Sequence, residues 1–248
     1  MVKSFFDPNW PDLGILGRFG RWLGINWIWA EMLTFYHSIF SIVIPVLLVE
    51  LAFPDSKDES WISGRTFKCL AVLLGTVVLI GYLFLTPFRP PLAQYLSSIV
   101  LTLALLYVAK KMPEDCGRKG TQRLKRPAFY FILGAFWSTA FFLTFWALPH
   151  IVEDPFSVAL LGSLLSFGVA SYLMKFDWRD SDLHKLSLVA GALSFMIFLA
   201  FMQEMDKNRP DNTTGMSFVG IAAIIGLISL RRRLKRVSSK KERVGEIS

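Results

Sequence analysis

Ser98-Ile99-Val100-Leu101-Thr102-Leu103-Ala104-Leu105-Leu106 carries no charge and no regular alternation of apolar with polar side chains. A membrane-spanning barrel strand needs that alternation, because its successive residues face lipid and lumen in turn. A helix needs only a sustained apolar run, since lipid offers the backbone no partner and a helix closes its hydrogen bonds internally. The run extends over Pro91–Ala109, close to the roughly 20 helical residues that a hydrocarbon core of about 30 Å demands. Six further segments of the same kind lie at Trp27–Phe53, Thr66–Phe88, Ala128–His150, Phe156–Met174, Lys185–Gln203 and Thr213–Leu230. The last is the shortest. Together they predict an all-α integral membrane protein, a bundle of about seven transmembrane helices.

Composition points the same way. Of 248 residues, 53% are hydrophobic and only 19% charged, with a mean hydropathy of +0.46; soluble domains are about 45–50% apolar and about 25% charged. Two cysteines and 17 glycines without a period exclude a disulfide scaffold and collagen. The longest connection, Lys110–Pro127, leaves no room for a soluble domain. The chain divides into an N-terminal surface segment (1–26), a seven-helix transmembrane domain (27–230) and a basic tail (231–248). Pro87, Pro90 and Pro91 mark a hairpin between the second and third helices, and Pro149 and Pro155 flank a turn between the fourth and fifth. No internal repeat supports an inverted-repeat transporter. In the first segment, Asp7, Pro8, Pro11 and Asp12 interrupt any signal-peptide core. Leu13, Leu16, Phe19 and Leu23 recur at helical spacing with Arg18 and Arg21 between them, which predicts a short helix on the membrane surface.

Lysine and arginine set the orientation. With seven spans, twenty-one of the 27 basic residues fall at one side and six at the other. The rich side, which holds the 110–127 loop and the tail, is expected in the cytoplasm, with the N-terminus outside. The net charge of +8 therefore reads as topology and as contact with anionic headgroups, with no nucleic acid implied. Cys69 and Cys116 fall on the reducing side. Asn212-Thr213-Thr214 matches a glycosylation sequon and falls outside. With no organelle-targeting pattern, a prokaryotic plasma membrane is the expected location.

Ionisable and polar groups within a span are costly and are the first candidates for function. At 100° per residue, Glu31, Thr34, His37, Ser38 and Ser41 occupy one arc of the first helix about 120° wide. Depth places Tyr82 on the second helix and Gln94 and Tyr95 on the third at the outer level, beside Thr144, Trp146 and His150 of the fourth. An outward-facing polar cavity with Glu31 and His37 on its wall is the expected arrangement. The other reading of the stripe is interhelical hydrogen bonding, worth about 0.6 kcal/mol per contact. Tyr and Trp at helix ends read as the aromatic belt.

No metal or cofactor is expected. His150 and His184 lie at opposite ends of their spans, and a metal needs ligands about 2 Å away; the membrane-protease signatures are missing, and no lysine occupies Met216–Leu230 for a retinal. Small residues on the fifth (Gly162, Ser166, Ala170), sixth (Ser187, Ala190, Gly191, Ser194) and seventh (Gly220, Ala223, Gly226) helices predict close helix packing. Three classes of function follow: small-solute or ion transport or binding through the outer cavity; a membrane enzyme on a lipid or isoprenoid with Glu31 and His37 as acid and base; or an accessory subunit of a membrane complex. The spread of polar groups over several helices favours the first.

Overall fold

The computed structural model describes residues 14–56, 62–85, 91–112, 120–179, 181–207 and 212–245. Seven long helices follow one another: α1 (Trp27–Ala52), α2 (Gly64–Phe84), α3 (Leu92–Lys111), α4 (Pro127–His150), α5 (Pro155–Leu173), α6 (Asp182–Met205) and α7 (Met216–Gly245). The chain is an all-α membrane bundle. The first six are long and apolar enough to cross a bilayer. In α7 the apolar stretch ends at Leu230, before Arg231, Arg232 and Arg233, and the helix continues through the basic segment that the sequence reading had separated as a tail.

α7 nonetheless runs the depth of its neighbour. At one end Glu204 of α6 accepts hydrogen bonds from the backbone amides of Gly215 (3.0 Å) and Ser217 (2.6 Å). At the other, Leu234 of α7 clusters with Leu186 of α6 and Leu51 of α1, and Arg233 donates to the carbonyl of Ala52 at 2.6 Å. From Ser217 to Leu234 the helix rises about 25 Å, which matches the span of α6 between the same two levels.

The main core is aromatic and belongs to four of the helices. Trp137, Phe141, Phe142 and Phe145 of α4 are buried with Ile28, Met32 and Ile44 of α1, Val158 of α5, and Val189 and Ala192 of α6. Phe40 stacks on Trp137 at 5.8 Å and Phe142 on Phe195 at 5.0 Å, while Phe35 meets Phe167 edge-on at 5.4 Å; such pairs add about 0.5–1.5 kcal/mol beyond area burial. α4 and α6 approach backbone to backbone. A side chain at Gly191 would put its Cβ 2.0 Å from the Phe131 carbonyl oxygen, and one at Gly134 would put it 2.3 Å from that of Leu188.

α2 and α3 stand apart from this unit. None of the best apolar window of either helix is buried. At the Trp27 end the two meet each other, Tyr82 lying edge-on to Tyr95 at 5.9 Å.

Three helices widen into π-helical turns, and each does so just before a proline. His37–Val43 precedes Pro45, Leu143–Ala147 precedes Pro149, and Gly81–Leu85 precedes Pro87. Proline lacks the amide for the i→i−4 bond and its ring clashes with the carbonyl four residues back. In the first two, the amide just ahead of the proline bonds five residues back instead, Ile44 to Ile39 and Leu148 to Leu143. At Pro45 the wide turn absorbs the proline without ending the span, whereas at Pro149 the helix ends a residue later.

The two ends of the bundle are built differently. At the Trp27 end, residues 14–26 form a single 3-10 turn (Gly14–Gly17) and a tight hairpin pairing Arg21–Trp22 with Ile25–Asn26, in place of the expected surface helix. Gly20, Leu23 and Gly24 hold positive φ, and a helix cannot pass through them. The expected helix also drew on Leu13, which lies outside the described residues. At the Ala52 end, Gln122 bridges two loops through backbone bonds with Lys175 and Asp177, both 3.0 Å. Lys125 donates to the Tyr172 hydroxyl at 2.8 Å, and Tyr130 is wholly buried against Phe176, Trp178 and His184.

Candidate functional site

α1 begins where Asn26 accepts the amide of Trp29 at 3.0 Å, an N-cap that fixes the helix against the hairpin. One turn on, Glu31 leans toward α5, and the Ser163 hydroxyl donates to its Oε1 at 2.7 Å. A carboxylate in a span is tolerable when such a donor meets it. Phe35, one turn further, packs on Phe141 and Phe167, so Glu31 sits on the flank of the face that α1 buries.

The rest of the stripe turns away from the core. Thr34 donates to the Ala30 carbonyl of its own helix at 2.7 Å. His37 Nδ1 lies 3.0 Å from the Ser41 hydroxyl, within the π-helical turn. Thr34, Ser38 and Ser41 are exposed and His37 is half-buried, with Tyr36 edge-on at 5.1 Å. Glu31 and His37 therefore have separate hydrogen-bond partners, Ser163 and Ser41.

The remaining candidates sit at the Trp27 end of the α2–α3 pair. Tyr82 and Tyr95 are in ring contact. Gln94 lies beneath the N-terminal hairpin, its Nε2 3.5 Å from where a Cβ on Gly24 would stand, and its buried Oε1 has no hydrogen-bond partner. Its carbonyl accepts the hydroxyls of Ser97 and Ser98. The eight residues thus fall into three places: Glu31 against α5; Thr34, His37, Ser38 and Ser41 on the uncovered face of α1; and Tyr82, Gln94 and Tyr95 at the Trp27 end of α2 and α3, with Gln94 near the hairpin. Between α1, α4, α5 and α6 the interior is filled by Phe141, Phe142 and Phe145. Thr144 is buried in that packing, while Trp146 and His150 are exposed.

Ser163 is the residue that sequence reasoning missed. At about 1.5 Å per residue it lies within about 6 Å of the depth of Glu31, each counted from the start of its own helix, so a depth comparison admits it as a candidate but does not say that α5 stands beside α1. Gly162 beside it drew attention instead, and the space at Gly162 is taken by the ring of Phe145.

These features define an integral membrane protein with a packed five-helix unit, a two-helix annex and a polar face on α1. The chain matches no family model, no curated protein and no solved structure.

Proposed function

We propose that the protein binds or conducts a small solute or ion along the polar face of α1, on the side turned away from the aromatic core. One observation carries this reading: Thr34, His37, Ser38 and Ser41 line the side of α1 that the core does not use. Their place in the chain asks for a partner other than lipid, since intramembrane polar groups face protein or water. The five-helix interior, filled with aromatic rings, leaves no polar route of its own. In this reading the basic Ala52 end faces the cytoplasm and the membrane is a prokaryotic plasma membrane.

Cysteine accessibility tests it. In a chain with Cys69→Ser and Cys116→Ser, Ser38→Cys and Ser41→Cys are expected to react with a charged, impermeant thiol reagent added at the Trp27 side. Vesicles holding the purified protein are expected to pass a small ion, more slowly with His37→Ala. Cysteines that no aqueous reagent reaches would remove the reading.

A second reading, an accessory subunit of a membrane complex, rests on the exposure of α2 and α3 along nearly their whole length. It predicts that the same cysteines stay dry and cross-link to a helix of another chain.

A further inference from the structure

α6 lies between α4 and α7 and packs on both, which leaves a groove over its third side. The floor is one helical face of α6: Ser187, Ala190, Ser194 and Ile197, spaced at three, four and three residues. These are mostly small residues, so the floor stays low. Phe131 and Ile132 of α4 form one wall and Ile224 and Ile228 of α7 the other. The two floor serines spend their hydroxyls on their own helix, Ser187 on Leu183 and Ser194 on Gly191, so the groove presents an apolar surface. Its volume is about 640 Å³, within the roughly 300–1,000 Å³ of sites that hold small molecules.

The groove has a polar mouth at the Ala52 end only. Arg231 of α7 stands there, exposed, opposite Pro127 and Ala128, which begin α4. Among the described residues no carboxylate pairs with Arg231, while Asp182, just ahead of the floor on α6, is engaged by Lys185 at 3.9 Å. The first turn of α4 has no side-chain cap, and its amides add positive potential at the same place. From Ser187 to Ile197 the floor rises about 15 Å, half of a hydrocarbon core of about 30 Å. The depth is that of one leaflet.

We propose that this groove is a binding site for an anionic phospholipid of the leaflet at the Arg231 end, its acyl chains along Ala190, Ser194 and Ile197 and its phosphate on Arg231. An apolar trough of leaflet depth with the guanidinium of Arg231 at its mouth, paired with no carboxylate among the described residues, matches such a lipid in shape and in charge. A purely apolar occupant leaves the cation unused. A helix from another chain would have to bring its own acid to the mouth.

The purified full chain, stripped of lipid in detergent, is titrated with phosphatidylglycerol or phosphatidylcholine of matched chains and read by native mass spectrometry. One phosphatidylglycerol is expected to bind about fivefold tighter than phosphatidylcholine, the factor given by ~1 kcal/mol per basic residue near an anionic headgroup. Arg231→Gln is expected to erase the preference and Arg231→Lys to keep it. Ala190→Phe, which fills the floor, is expected to lower retention of both lipids. Phosphatidylglycerol carrying a photoactivatable acyl chain needs no variant: its adducts on the wild-type chain are expected on 187–197 and 224–228. Equal affinity for the two lipids, a preference that survives Arg231→Gln or follows Lys240→Gln and Lys241→Gln instead, adducts confined to other helices, or a Ser194→Cys disulfide dimer that excludes lipid would each overturn the proposal.

Discussion

The Ser163 hydroxyl of α5 donates to the Glu31 carboxylate of α1 at 2.7 Å, across 132 residues of sequence. It is a direct side-chain tie between the first and fifth spans, at a contact otherwise made of Phe35 and Phe167. Interhelical hydrogen bonds in membranes average about 0.6 kcal/mol and reach about 1.7 kcal/mol. Ser163→Ala is expected to cost about 1 kcal/mol, read as a lower unfolding temperature in detergent. Glu31→Gln keeps an acceptor for the same hydroxyl and is expected to cost less than Glu31→Ala. Equal losses for the two Glu31 variants would show that this bond does not hold the helices together.

The α4–α6 contact makes a sharper prediction. Gly191→Ala places a methyl group 2.0 Å from the Phe131 carbonyl oxygen, a backbone atom that cannot swing aside. Overpacking of this kind costs about 1–3 kcal/mol, and Gly134→Ala is expected to behave alike. Gly226→Ala is the contrast, because nothing lies within 4 Å of its added Cβ. In the middle of a helix it is expected to leave stability unchanged or to raise it by about 0.5–1 kcal/mol. Thermal unfolding of the three variants in one detergent checks the order.

Much of this fold is legible in the sequence because a bilayer leaves few choices. The run around Ser98–Leu106 admits a helix and little else, and the bounds of α1 through α6 follow from length and proline. Residues 14–26 misled for a physical reason: a helical spacing of Leu16, Phe19 and Leu23 says nothing against glycines at 17, 20 and 24, and the positive φ at Gly20 and Gly24 decides that stretch. The widened turn before Pro45 was not anticipated, although the missing amide that causes it is a property of the residue. The partner of Glu31 was not legible, because apolar segments of similar hydropathy carry no signal of which helix stands beside which. The small-residue faces show the same limit. Gly191 packs against α4 as expected, whereas Ser187, Ala190 and Ser194 on the neighbouring face line an open groove.

The loop pair Asp177 and Arg179 supplies a pH prediction outside the membrane. The guanidinium of Arg179 bonds both carboxylate oxygens, and its backbone amide adds a further donor at 3.1 Å. These bonds, the side-chain ones foremost, pull the Asp177 carboxyl from 3.8 down to about 2. A depressed carboxyl pKa contributes to stability fully above the unfolded value, and the contribution disappears as pH falls through about 2. Carbon-13 NMR of labelled aspartate is expected to place this titration near 2, and Arg179→Gln is expected to return it toward 3.8. A midpoint already near 3.8 in the unaltered chain would show the pair to be open in solution.

Topology supplies the last prediction, and two independent lines bear on it. Counting basic residues assumes seven crossings and puts twenty-one of the 27 lysines and arginines on one side. The packing requires no such assumption. Gly20 sits against Ile28 and Pro155, so the entry to α1 and the start of α5 share one end. Arg233 on Ala52, with Leu51, Leu186 and Leu234 clustered beside it, gathers the end of α1, the start of α6 and the basic turn of α7 at the other. An even number of crossings would bring Arg233 back to the level of Gly20, a full helix length from Ala52. Epitopes fused to the two termini are therefore expected in opposite compartments, with the C-terminal one protected in intact cells and the N-terminal one open to added protease. Both epitopes on one side would mean that α7 does not cross. The contacts from Glu204 at one end and Ala52 at the other would then have to belong to some other arrangement of that helix.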